Sequence, residues 1–333
     1  MKRRQVLLNG AMLAAASAIV QTWKPQSAAA APVTPGAAPR ITPITLAVNG
    51  LQFAALSCGP TEGALVLCLH GFPQFKEIWT PVLCALGAYG FRAVAVDQRG
   101  YSVGAQPKNV SDYSNANIVS DILGFAASLG AQQFHLVGHD FGAFAGWQVA
   151  AQFPEQVLTY TSLSTPHRDA YSAALASDSA QQQMAAYVQL YQQPTPTPEN
   201  FLLANNAAGL RASYQGVEPG TNTPPPGGIV NVVPAAEVNS NVAQFSQGAT
   251  LADALNWYRA ADLNAIGPVT VPTLYVWGSN DQALGRTAAV NTANFCTGIY
   301  QFVQLTGRSH WLLEEVPSDV VALVLQQVNS TLT

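Results

Sequence analysis

The chain has 333 residues, long enough for one large domain or two modest ones with a substantial buried core. Hydrophobic residues make up 49% of it and charged residues only 10%, against ~25% in an average globular domain, which excludes a disordered charged tail and a coiled coil. With 14 Lys and Arg against 18 Asp and Glu, no surplus of positive charge is available to neutralise phosphates, so nucleic acid is not an expected partner.

Residues 1–31 read as an export signal: a basic start at Met1-Lys2-Arg3-Arg4, a mostly apolar run from Val6 to Val20, and small-residue cleavage sites up to Ala31. The Arg3-Arg4 pair matches a twin-arginine signal, with ordinary secretion as the alternative; either makes the mature protein periplasmic or secreted. The apolar run is shorter than the ~20 residues that span a bilayer, and no later segment is long enough, so no membrane insertion is expected after the signal is removed. Residues 32–43, rich in Pro, Ala and Thr, read as a linker.

From residue 44 onward, apolar runs alternate with amphipathic stretches. Ala64–Leu69, Phe91–Val96, Phe134–Val137, Val157–Ser162, Thr273–Trp277 and Tyr300–Leu305 predict short buried strands. Trp79–Tyr89, Ala116–Leu129, Gly142–Gln152, Arg286–Phe295 and Ser318–Val328 predict helices between them. This order implies a mostly parallel, doubly wound α/β sheet with chemistry at the carboxyl ends of its strands. The alternation stops between residues 167 and 267. That stretch predicts two helical arms (Asp169 to Gln193 and Gly248 to Ala261) joined by an irregular loop, because Pro194-Thr195-Pro196-Thr197-Pro198 and Thr223-Pro224-Pro225-Pro226-Gly227-Gly228 cannot continue a helix or a central strand. The expected organisation is a core of 44–166 and 268–333 with a helical lid at 167–267. Cys58, Cys68, Cys84 and Cys296 have no CxxC spacing and no clustered histidines, so neither metal nor cofactor is expected. Cys68 and Cys84 read as buried thiols, and Cys58 is the candidate for a disulfide.

Three segments carry chemistry. The strand from Phe134 ends in Gly138-His139-Asp140-Phe141-Gly142 and a helix follows: the sequence of a nucleophile elbow with Asp140 where Ser usually stands. A carboxylate needs no base to attack, and the resulting ester must then be cleaved by water. The other reading of Asp140 is a helix cap. Strand Ala64–Leu69 runs into His70-Gly71-Phe72-Pro73, a turn able to aim the Phe72 N–H, with that of Phe141, at an oxyanion. Of five histidines, His135 reads as structural, strand alternation turns His139 away from the nucleophile, and His167 opens the lid. His310, in the loop after the last strand, is the candidate base, and Asp281, after strand Thr273–Trp277, the acid that orients it. Asp97 and Arg99 are expected to pin the loop after Phe91–Val96.

His70-Gly71-Phe72-Pro73, Asp97-Gln98-Arg99-Gly100-Tyr101-Ser102, Gly138-His139-Asp140-Phe141-Gly142 and Ser309-His310-Trp311 together resemble the α/β-hydrolase epoxide hydrolases over residues 41 to 328. The resemblance implies an α/β-hydrolase fold with an inserted cap and an Asp nucleophile, acting on a small apolar epoxide and water. Most of these motifs are shared with haloalkane and haloacid dehalogenases, the alternative reading; a non-catalytic binding protein on the same scaffold is the third. The Trp that many dehalogenases carry after the nucleophile is Phe141 here, but many epoxide hydrolases carry Trp there too. Asn256-Trp257-Tyr258-Arg259 resembles the family's second lid-tyrosine motif and implies Tyr258 as a proton donor. Tyr187, with Gln192 and Pro194 downstream, resembles the first lid tyrosine, and Tyr191 competes for that role. Phe72, Trp257 and Trp311, with His70 and Pro73, are expected to line the substrate pocket.

Overall fold

The computed structural model describes residues 20–22, 40–215 and 232–330. Nearly all of the candidate export signal, most of the linker and the Thr223–Gly228 proline run lie outside the described residues. Nine strands form one sheet in the order β1-β9-β8-β7-β6-β4-β5-β3-β2. They are β1 (Val20–Thr22), β2 (Thr42–Val48), β3 (Leu51–Cys58), β4 (Leu65–Leu69), β5 (Arg92–Val96), β6 (Phe134–His139), β7 (Val157–Leu163), β8 (Thr273–Gly278) and β9 (Tyr300–Leu305). All pairings from β5 through β4 to β1 are parallel, whereas β2–β3 and β3–β5 are antiparallel.

The two faces of the sheet bury two separate cores, as the period-2 alternation of a strand requires. In β4, Leu65, Leu67 and Leu69 enter one core, and Val66 and Cys68 enter the other. The first core lies under helices Asn115–Ser128 and Phe141–Gln152, the second under Thr80–Ala88 and Pro317–Asn329. Each buried Leu or Val contributes about 1.5–3 kcal/mol relative to exposure, so both faces must be covered, and a helix follows each strand from β4 onward.

Two sequence expectations need correction here. The stretch before Ala64 holds the β2–β3 hairpin, and β2 starts inside the expected linker at Thr42. Asn49 and Gly50 turn it with φ of 52° and 76°, the left-handed pair that matches the twist of the flanking strands. The loop expected between the lid arms contains helices Thr197–Ser213, which is interrupted at residues 204–207, and Ala235–Phe245. Pro198 stands in the first turn of the former, where a missing N–H breaks no helical bond, so that proline run starts a helix instead of ending one. The four cysteines carry free thiols. Among the described residues no helix is long and apolar enough to cross a membrane.

The helical insertion between β7 and β8 is fastened at its base. His167 Nε2 donates to Gly267 O at 3.1 Å while its Nδ1 accepts from Asp169 N, so one neutral ring ties together the two ends of the lid. Burial holds this imidazole down at about 4, which keeps that tautomer at any neutral pH. Farther out, Trp257 Nε1 donates to Arg99 O at 2.7 Å and Tyr214 Oη donates to Pro73 O, and both bonds join lid to core. Arg99 itself forms a two-point ion pair with Asp121 (2.7 and 2.8 Å), and Asp97 accepts from the Lys76 amide at 2.8 Å. The Asp97–Ser102 loop is therefore fixed from below while it carries part of the lid.

Candidate active site

Asp140 sits between β6 and helix Phe141–Gln152 with φ of 51° and ψ of −120°. A non-glycine residue held there costs about 1–3 kcal/mol, and its neighbours explain how the turn is possible. A Cβ on Gly142 would come within 2.1 Å of Leu69 O, and one on Gly138 within 2.5 Å of Ala143 N. Only glycine lets the chain reverse this tightly against β4. The side chain makes no capping bond to the helix, so the cap reading of Asp140 is set aside. Its Oδ1 accepts the Phe72 N–H at 2.8 Å instead. Phe141 contributes the first amide of the helix, which has no carbonyl partner within that helix.

His310 lies after β9 with Nε2 3.6 Å from Asp140 Oδ2 and Nδ1 2.9 Å from Asp281 Oδ2. The Asp281 side chain is completely buried, and its other oxygen accepts the amides of Ala283 (2.8 Å) and Leu284 (2.9 Å). That turn locks the carboxylate so that it points at one ring nitrogen. The imidazole thus stands between two carboxylates. Burial opposes its charge, but Asp281 and Asp140 outweigh burial and push it up to about 10. In return, His310 draws the Asp140 carboxyl below its ordinary range, although burial pulls the other way.

His139 is the site residue that strand alternation hid. Its ring lies 4.8 Å from that of His310, and its Nε2 donates to His310 O at 3.0 Å, a carbonyl that also accepts Ser164 Oγ at 2.7 Å. Burial, and then the His310 charge, hold it down at about 3, so it is neutral. Its only sequence signal is its place beside Asp140, which does not show that residue 310 folds back over it. His135, within β6, bonds Thr159 Oγ1 at 2.8 Å.

Over the carboxylate lies an aromatic layer. The Tyr258 ring is 4.5 Å from Phe141, 5.7 Å from Phe72, 5.0 Å from Tyr191 and 6.2 Å from Tyr187. Tyr191 Oη is engaged with Ser213 Oγ at 2.9 Å, whereas the hydroxyls of Tyr187 and Tyr258 bond no described residue. Burial, and then neighbouring phenol and carboxylate charge, raise both phenols well above their ordinary value, so both are protonated at neutral pH. Trp257 contacts Phe141 at 5.4 Å, and Trp311 stands edge-on to His310 at 5.0 Å. His70 serves the loop instead of facing a ligand: it is fully buried, donates from Nδ1 to Gly71 O (3.0 Å) and accepts the Gln98 amide at Nε2 (3.2 Å). Pro73 is likewise buried and offers its carbonyl to Tyr214.

The model of the alpha/beta hydrolase fold family matches residues 64–317. Among curated proteins, the chain is 26% identical to AB hydrolase superfamily protein YfhM of Bacillus subtilis, with 85% of this chain and 96% of that protein aligned. It is also 26% identical to epoxide hydrolase A of Mycobacterium tuberculosis over 84% of this chain and 94% of that one. Among solved structures, an epoxide hydrolase from Vigna radiata is 26% identical with a TM-score of 0.73, covering 87% of this chain and 98% of the other. The Bacillus megaterium epoxide hydrolase, at 24% identity, has the same fold with a TM-score of 0.74 over 86% of this chain and 100% of its own. An elbow after β6, an acid after β8, a histidine after β9 and a helical insertion before β8, together with a family match over most of its length, make this chain a member of the alpha/beta hydrolase fold family.

Proposed function

We propose that the protein hydrolyses epoxides to vicinal diols through an ester of Asp140. The observation that carries this reading is the contact set of one side chain: Asp140 has an amide on one oxygen, the His310 imidazole 3.6 Å from the other, and in the layer above two phenols whose hydroxyls bond no described residue. An Asp140 oxygen attacks a ring carbon and the carbon–oxygen bond opens. The departing oxygen takes a proton from Tyr258 or Tyr187, giving a hydroxyalkyl ester and a tyrosinate. The His310 imidazolium passes its proton to the tyrosinate, the neutral ring then takes a proton from water, the hydroxide attacks the ester carbonyl carbon, and the N–H groups of Phe72 and Phe141 hold the oxyanion. Collapse releases the diol and restores the carboxylate beside the imidazolium, as at the start. Epoxide and water balance the reaction without a cofactor.

Ester formation itself activates the base. His310 is charged in the free enzyme because two carboxylates face it. Esterification erases the Asp140 charge, so the imidazole loses part of what holds its proton and titrates lower. In single-turnover experiments, ester hydrolysis should rise with pH and level off well below pH 10, whereas His310 in the free protein, followed by NMR, should titrate near 10. A hydrolysis rate that keeps climbing to pH 10 contradicts this coupling.

Leaving-group chemistry separates the epoxide reading from a dehalogenase. An alkoxide needs a proton and a halide does not, so Tyr258→Phe should lower diol formation by about 10²-fold. Halide release from haloalkanes or haloacids that survives Tyr258→Phe would assign the site to dehalogenation. We also propose that residues 1–31 direct export and that the working enzyme is periplasmic or secreted. Mass spectrometry of the protein from an exporting host should find the N-terminus near residue 32; an intact Met1 in the cytoplasm would refute this.

A further inference from the structure

At the carboxyl end of β7 the chain makes a three-residue turn around Ser164, in which Thr165 N–H donates to Leu163 O at 2.8 Å. Ser164 is fully buried and stands there with φ of 67°. Such a turn is rare and strained for a residue with a Cβ, whereas glycine adopts it freely. The surroundings keep the strain in place. Ser164 N–H donates to Val276 O (2.8 Å), Tyr275 Oη to Ser164 O (3.0 Å) and Trp147 Nε1 to Thr165 O (3.0 Å). Strain retained at a non-glycine residue points to a use for its side chain. Here the hydroxyls of two consecutive residues reach the two sides of the candidate site. Ser164 Oγ donates to His310 O at 2.7 Å, and Thr165 Oγ1 donates to Asp140 O at 3.1 Å.

We propose that Ser164 and Thr165 are positioning residues, a bracket that fixes the base against the nucleophile. This rests on the roles proposed for Asp140 and His310 and extends them to two residues that act through those side chains. The gap between His310 Nε2 and Asp140 Oδ2 is 3.6 Å, too long for a hydrogen bond. A direct bond therefore does not set its width; the backbones on either side do. The Ser164–Thr165 turn spans them with two hydroxyl donors. His139, next to Asp140, adds a third tie by donating from Nε2 to the same His310 O at 3.0 Å. Ester hydrolysis depends on where the imidazole stands, because it must take a proton from the water that attacks Asp140. A displacement of about 1 Å lowers such a rate by about 10²-fold. Ring opening needs only the ionised Asp140 and a phenol, so the bracket acts on the second step.

Ser164→Gly separates this role from a structural one. Glycine takes a φ of 67° without strain, so the variant should lack the hydroxyl yet melt within a few degrees of wild type. In single-turnover experiments its ester formation should stay within about threefold of wild type, while ester hydrolysis falls about tenfold, the effect of one lost hydrogen bond. The ester should then accumulate in intact-protein mass spectra. Thr165→Val should slow hydrolysis in the same way, and Thr165→Ser, which keeps the hydroxyl, should restore it. An NMR titration gives a readout that needs no substrate. Against burial, Asp281 and Asp140 hold His310 at about 10 in the native site, and loosening the bracket should bring it lower in Ser164→Gly and Thr165→Val. Ester hydrolysis within about twofold of wild type in Ser164→Gly would overturn the bracket. An equal loss in both steps with a lower melting temperature would also overturn it, since that is what a structural role alone produces. If no epoxide is turned over, the proposed function fails by itself, and an unchanged His310 titration then overturns the bracket.

Discussion

Replacing Asp140 with Asn should lower diol formation from every epoxide by about 10⁴-fold or more, because an amide oxygen is a poor nucleophile and, without the ester it would form, water has nothing to cleave. The fold should survive the change. Asn has the same shape, and its carbonyl oxygen can still accept the Phe72 N–H that now meets Oδ1 at 2.8 Å. His310 would lose one of its two carboxylates, so its imidazole should titrate below the value of about 10 that it has in the native site. Steady-state kinetics and an NMR titration of the same sample read both effects. Activity within tenfold of wild type would mean that attack comes from elsewhere, and the scheme built on the elbow would fall.

His310→Gln should halt the reaction halfway. Asp140 is still ionised and the lid phenols still donate, so the ring opens; but no group remains to take the proton from water. The protein should gain the mass of one intact epoxide per chain, and diol release should cease after that single event. Intact-protein mass spectrometry after mixing, followed by peptide mapping to Asp140, makes the measurement. The single contact of His310 with Asp281, at 2.9 Å, and its 3.6 Å separation from Asp140 make the ring the only described imidazole that faces both. Failure to find any adduct with epoxides that the wild type consumes would remove His310 from the role of base.

Much of this site can be read before folding because its determinants are local. Gly138-His139-Asp140-Phe141-Gly142 announces a strained turn, and the contacts a Cβ would make at Gly138 and Gly142 show why the spacing is needed. The alternation of apolar runs and helices predicts the parallel sheet, and the six expected strands each lie within two residues of observed ones, β4 to β9. The β2–β3 hairpin was legible as well, in Asn49-Gly50 between two alternating segments, but the linker-like composition before it masked the signal. The proline run at Pro194–Pro198 was misleading for a physical reason: proline ends a helix it stands inside and suits one it begins, and a sequence alone does not tell which side of the boundary it occupies.

The sequence by itself determined the parallel core strands and their crossover helices, their order, and the residue types available for acid, base and nucleophile, because hydrophobic period and turn chemistry act over a few neighbours. Only the tertiary structure decided which of those residues meet. That His139 holds His310, that Tyr191 is engaged with Ser213 while the Tyr187 hydroxyl bonds no described residue, and that Arg168 is buried against Gln148 depend on segments far apart in the chain arriving at one place. Such meetings follow from how two cores pack against the two faces of one sheet, a property of the whole molecule that no local window contains.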